Sequence, residues 1–161
     1  MPLIKTILVP TDFSAPAEHA LAYACELADL SGASLHLLHV IEDPFSTAVY
    51  PGVVVAPPEG YFEQLDQQSR AHLTSLLTGD QQRKYRAVIA TRMGHAATEI
   101  LDYALEHGAI DLIVIATAGR GGVARLLMGS VTDKIMRTAP CPVLAVHARD
   151  RAEPTGASRA A

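Results

Sequence analysis

Residues 111–130, DLIVIATAGRGGVARLLMGS, decide how the rest of the chain is read. Leu112, Ile113, Val114, Ile115 and Ala116 form an unbroken apolar run. It is too short to span a membrane and rich in β-branched residues, so it predicts a strand covered on both faces, and such strands belong in parallel sheets. The run stops at Thr117. Gly119, Gly121 and Gly122 follow, where the backbone can take positive φ and be approached closely. A second opening comes at Gly129-Ser130. Val131 and Ile135 lie four apart, which predicts a helix from about Ser130 to Thr138 whose first N–H groups have no partner inside the helix. Those amides, the glycine backbone, the Ser130 hydroxyl and Arg120 suit an anion such as phosphate. A tight strand-to-helix connection needs glycines for folding alone, so the residues by themselves leave turn and binding site as equal readings.

Toward the N-terminus, Leu3, Ile4, Ile7, Leu8 and Val9 form a first strand that ends at Pro10, and Thr11-Asp12-Phe13-Ser14 supplies turn chemistry and a helix cap. With Ser14 as N-cap and Gly32 closing, Ala17, Ala20, Leu21, Ala24, Leu27 and Ala28 place a helix over 15–31. Residues 34–40, SLHLLHV, are a second strand. Residues 41–58 contain Pro44, Pro51, Gly52, Pro57 and Pro58 and read as a long, semi-ordered surface loop that covers a site or serves a partner. Leu65, Leu73, Leu76 and Leu77 predict one helix from about Glu59, ended at Gly79-Asp80. A third strand follows over 87–91. His95 then opens a helix carrying Ala97, Ile100, Leu101, Ala104 and Leu105, closed at Gly108. Pro140 and Pro142 bracket Cys141 before a last strand at 143–147. Residues 149–161 are small and polar and read as a disordered tail behind a single domain, 1–148.

This order predicts a doubly wound α/β fold: a five-stranded, mostly parallel sheet with about four helices and right-handed crossovers. Ligands of such sheets sit outside the carboxyl ends of the strands at the switch point. Pro10-Thr11-Asp12, the region of Val40 and the segment from Ala116 to Ser130 all converge there.

Composition narrows the function classes. The chain has 161 residues, 49% hydrophobic and 19% charged, as a folded soluble domain does. A net charge of -4 and the lack of a basic stripe exclude a nucleic-acid footprint. Cys25 and Cys141 form no CxxC pattern and read as small buried hydrophobes in a reducing compartment. The start does not resemble a signal peptide and no run is long enough for a membrane span, so the expected location is cytoplasmic. His36 and His39, three apart on a strand, should face opposite sides, and no HxxxH pairing suggests zinc.

Four segments carry a family likeness: ILVPTDFS, LLHV, GHAATEILDYALEHGAIDLIVIATAGRGG and LLMGSVTDKIMRTAPCPVLAV. From about Ile4 to Val146 the chain resembles the universal stress proteins, whose fold is adenine nucleotide alpha hydrolase-like. The family's nucleotide motif is Gly, two residues, Gly, nine residues, then Gly followed by Ser or Thr. Gly119, the nine residues 120–128 and Gly129-Ser130 match it; Ala116 stands where the first glycine is expected, and Ala118 where a histidine is often found. The resemblance implies an adenine nucleotide, ATP or else ADP or AMP, with or without Mg. By position, Gly119, Gly129, Ser130 and Val131 would hold phosphate beside Arg120. Asp12, with Pro10 and Thr11, would lie by the ribose or a phosphate-bound metal ion. Val40 would offer backbone groups to the adenine edge, and Ile115 would pack against the base. The resemblance further implies a stress-response regulator, and a homodimer through the last strand, Val143–Val146, at a sheet edge.

Catalysis has little support in the residues. There is no GxxxxGK[ST] loop, and Asp12 is the only carboxylate that the topology puts in the crevice, where ligand contact is the preferred reading and a helix-capping or turn residue the plain alternative. A binding protein is the preferred reading. Slow ATP hydrolysis or self-phosphorylation, with Ser130 and Thr132 as acceptors, is one alternative; a dimeric interaction module without nucleotide is the other. Arg125, Lys134 and Arg137 read as a basic rim around phosphate or as a solvated helix face.

Overall fold

The computed structural model describes residues 4–43, 56–117 and 129–147. The apolar runs become strands: β1 (Thr6–Pro10), β2 (Ser34–Ile41), β3 (Val88–Met93), β4 (Leu112–Ala116) and β5 (Val143–Val146). All pair in parallel, in the order β3-β2-β1-β4-β5. Parallel neighbours need crossovers, and helices supply them. α1 (Ala15–Ser31) follows β1, while α2 (Tyr61–Ser75) and α3 (Gly79–Lys84) lie between β2 and β3. α4 (Ala96–Glu106) follows β3, and α5 (Ser130–Thr138) lies between β4 and β5.

Side chains alternate across the strands and so divide the core into two layers. Ile7 and Val9 of β1, Leu35 and Leu37 of β2, and Leu112, Val114 and Ala116 of β4 face one way, against Ala20, Leu21, Ala24 and Ala28 of α1 and Leu73 of α2. Leu8, Leu38, Ile113 and Ile115 face the other way, against Ile100, Tyr103 and Ala104 of α4 and Ile135 of α5. Every residue of β4 is therefore buried, the physical reason for its continuous apolar run. The alanine face of α1 brings that helix close to the sheet, and Gly32, at φ 71, ends it in the left-handed cap that glycine takes without strain. Cys25 packs on the first layer and Cys141 on the second, both as free thiols.

The sheet is parallel throughout, and five helices, rather than about four, stand among the described residues. The helix expected to run up to Gly79 stops at Ser75. Thr78 then opens α3: its hydroxyl accepts from Gln81 N–H at 3.2 Å while Gln81 Oε1 accepts from Thr78 N–H at 2.9 Å. This reciprocal capping box makes Gly79 the first residue of a helix instead of the last. The third strand lies at 88–93 instead of 87–91, and pairs with β2 as far as Met93. Most of the loop expected over 41–58, and the expected tail, fall outside the described residues.

Candidate functional site

Because all strands run the same way, the carboxyl ends of β1, β2 and β4 lie at one edge of the sheet. The chain order reverses between β1 and its neighbour β4, which makes that edge a topological switch point.

On the β1 side the chain turns sharply after Pro10. Thr11 is buried and donates its N–H to Leu38 O at 2.9 Å, and its hydroxyl accepts from Phe13 N–H at 3.0 Å. Phe13 takes a left-handed backbone, φ 63, uncommon for a residue with a Cβ. Asp12 Oδ1 accepts from Ser14 N–H at 3.0 Å and from the Ser14 hydroxyl, while Ser14 Oγ caps α1 by accepting from Ala17 N–H at 3.4 Å. Both readings of Asp12 thus meet at one place: it shapes the turn, and it stands at the sheet's carboxyl edge.

On the β4 side two hydrogen bonds latch the start of α5 to the strand end, and a third ties that end to β5. Thr117 donates its N–H to Val146 O at 3.0 Å, Gly129 donates its N–H to Thr117 O at 2.8 Å, and the Thr132 hydroxyl donates to Ala116 O at 2.7 Å. Thr132 is only 4% exposed. The first N–H used within α5 is that of Asp133, to Gly129 O at 2.9 Å. The amides of Ser130, Val131 and Thr132 precede it at the positive end of the helix dipole, an arrangement suited to an anion.

Gly129 sits at φ -60 and ψ 147, a conformation open to any residue, and among the described residues a Cβ built there would meet only Thr117 O, at 3.6 Å. Neither backbone conformation nor packing against the described residues therefore calls for a glycine. Ala116 lies in regular strand, and its side chain is buried in the layer under α1. Its methyl thus fills core, and its backbone needs no glycine-only φ.

Of the expected site residues, Pro10, Thr11, Asp12, Ala116, Gly129 and Ser130 gather at this edge, Ser130 exposed and Pro10 buried. Ile115, Val40 and Val131 share the apolar layer of α4 and α5, Ile115 within it and the other two packed against it. Gly119, Arg120 and Arg125 lie outside the described residues. Arg137 pairs with Asp133 one turn back, and Lys134 reaches Thr98 of α4, so both engage the helix surface. Sequence reasoning missed an aromatic cluster beside Asp12. The Phe13 ring stacks on His72 of α2 with centroids 3.9 Å apart and lies 4.4 Å from His39 of β2, whose Nδ1 is 2.8 Å from Thr11 O. As the alternation requires, His36 faces away from His39, with Nδ1 2.9 Å from the Tyr103 hydroxyl.

Among the described residues, no group of three or more His, Cys, Asp or Glu side chains is placed to hold a metal ion. No helix among them is long and apolar enough to cross a membrane.

The universal stress protein family model matches residues 3–147. A universal stress protein of Methanocaldococcus jannaschii, MJ0531, is 32% identical over 149 residues, covering 89% of this chain and 82% of that protein. The solved structure of universal stress protein UspA from Lactobacillus plantarum superposes with a TM-score of 0.70 at 27% identity, covering 91% of this chain and 99% of that one. The universal stress protein from Archaeoglobus fulgidus, solved in complex with dAMP, superposes with a TM-score of 0.55 at 24% identity, covering 89% of this chain and 98% of that one. With the family model matched across nearly its whole length, this chain belongs to the universal stress protein family.

Proposed function

We propose that this protein binds an adenine nucleotide, ATP in the first instance, and acts through it as a stress-response regulator. The observation that carries the reading is the latch of α5 against the end of β4. It holds the Ser130, Val131 and Thr132 amides at the switch point beside the Thr11-Asp12 turn. A glycine at 129 that the described residues do not demand supports it, since a missing Cβ also lets a ligand approach closely. The dAMP complex of the Archaeoglobus protein supports adenine as the base, but at 24% identity that likeness speaks for the fold, so the weight rests on this chain's geometry.

In this reading Ser130 and Val131 hold phosphate through their amides, with Gly129 leaving room for it and Gly119 and Arg120 contributing from the preceding loop. Gly129 acts by its missing side chain, because its own N–H goes to Thr117 O. Asp12, with Pro10 and Thr11, lies by the ribose or by a magnesium ion held chiefly by the nucleotide's own phosphates. Val40 and Ile115 border the base. Binding is favoured over turnover. Thr132, buried and donating to Ala116 O, is not placed to receive a phosphoryl group; the exposed Ser130 is the one candidate acceptor of the two.

The assembly we propose is a homodimer through β5. β5 is an edge strand, and Leu144 on it is 36% exposed, so an apolar edge is open for pairing. Leu144→Lys is expected to shift the mass measured by light scattering from dimer to monomer; a monomeric wild type at micromolar concentration contradicts the proposal.

The nucleotide reading is tested by mass spectrometry of whatever denatured protein releases, together with calorimetric titration of ATP, ADP and AMP. Saturable binding that Gly129→Val abolishes is expected. Protein that neither retains nor binds adenine nucleotide at millimolar concentration refutes the reading and leaves the interaction module.

A further inference from the structure

The least ordinary backbone among the described residues at the sheet's carboxyl edge is that of Phe13, immediately after Asp12. A side chain at φ 63 persists only where its surroundings over-determine it. Those surroundings come from two other elements. His72, in the last turn of α2, lies flat on the ring, 3.9 Å away at 8° between planes, and His39 of β2 covers it at 4.4 Å. His39 also contacts Thr11 O, and the Thr11 hydroxyl receives Phe13 N–H, so the ring and the turn are fixed by one set of groups. The next residue, Ser14, binds Asp12 Oδ1 through both its amide and its hydroxyl. Rotation of Phe13 out of the left-handed region shifts Ser14, and with it the two hydrogen bonds that Ser14 makes to Asp12 Oδ1.

The helix that supplies the outer half of this clamp is tied to β3 by the Thr91 hydroxyl, which donates to Asp66, but buries little. Leu73 is the one buried residue of α2, and its N-cap, Gly60, makes no side-chain capping bond. Elements with so little burial open at low free energy and are the ones a protein can use for control.

We propose that His72 and His39 clamp Phe13 in its left-handed conformation and so position Asp12, making the docking of α2 the setting that fixes the crevice's affinity for nucleotide. His72 is a positioning residue: it acts on the ligand through Phe13 and Asp12. This rests on the nucleotide reading above and adds to it a route by which a partner that pulls on α2 lowers affinity without entering the crevice.

The test is calorimetric titration of Mg-ATP into full-length wild type, His72→Ala, His72→Phe and, as a control elsewhere on the same helix, Gln68→Ala. Because the left-handed region is disfavoured for residues other than glycine, loss of the clamp lets Phe13 relax, and His72→Ala is expected to weaken binding about tenfold. His72→Phe, which keeps a flat ring in the stack, restores affinity to within about twofold, and Gln68→Ala binds as wild type. The Asp12 and Ser14 amide resonances of the unliganded protein shift in His72→Ala and return in His72→Phe, a rescue that general loosening of α2 does not give. Wild-type affinity in His72→Ala overturns the clamp while leaving the nucleotide reading intact. A wild type that binds no nucleotide overturns both.

Discussion

Gly129→Ala separates the two uses a glycine can have. At φ -60 and ψ 147 an alanine fits without strain, and its Cβ makes an ordinary contact with Thr117 O at 3.6 Å. Restricting the unfolded chain favours the variant by about 0.4–1 kcal/mol. Alanine is a poorer N-cap than glycine, which costs roughly 0.5–1 kcal/mol. The two nearly cancel, so folding stability should stay within about 0.5 kcal/mol of wild type, a shift of no more than about 2 °C in Tm for a domain of this size. Binding should respond differently. A methyl group in the path of a phosphate prevents one charge-assisted hydrogen bond from closing, a loss of about 1.5–3 kcal/mol, or roughly ten- to a hundredfold in Kd. Thermal unfolding and calorimetric titration with ATP measure the two quantities on the same preparation. Tm lowered by several degrees with affinity unchanged refutes the reasoning, because the glycine would then serve the fold.

Thr132→Val removes the buried hydroxyl that ties α5 to Ala116 O at 2.7 Å while keeping shape. It should destabilise the protein by about 1–2 kcal/mol and weaken nucleotide binding, whereas Thr132→Ser keeps the bond and the affinity; equal binding by both variants counts against the latch. Burial, with His107 beside it, lowers the pKa of His36 below the ordinary 6.5. The folded state thus favours the neutral ring, so its contribution to stability is complete above about pH 6.5 and declines as pH falls from there through the lowered value. His36→Gln should therefore lose less stability than wild type between about pH 7.5 and pH 5 in urea melts, and equal losses dispose of this assignment.

Most of the fold is written in the chain because burial on both faces leaves little choice of residue. β1, β2, β4 and β5 show as apolar runs, and α1 as alanines and leucines at helical spacing. β3 is harder to delimit. It is an edge strand with no fully buried residue, and Thr91-Arg92 interrupt its apolar run before Met93, so its end is not marked. The break between α2 and α3 was legible in principle: Thr78-Gly79-Asp80-Gln81 is a capping-box sequence, masked by the expectation that glycine ends helices. At the carboxyl edge of the sheet, glycine and helix-start patterns located the start of α5 and its neighbours. They did not show that the Gly129 amide is engaged by Thr117, nor that Thr132 is a buried strut. The Phe13 clamp left no trace in local pattern, since stacking depends on His39 and His72 arriving from β2 and α2, far away in sequence.

The central claim is that the first amides of α5 hold the phosphates of an adenine nucleotide. Amide resonances of isotope-labelled protein, followed during titration with ATP and, separately, with adenosine, test it at the atoms concerned. The account predicts large shifts at Ser130, Val131 and Thr132 with ATP and much smaller ones there with adenosine. Titration with ATP to millimolar concentration that leaves these three resonances in place contradicts it.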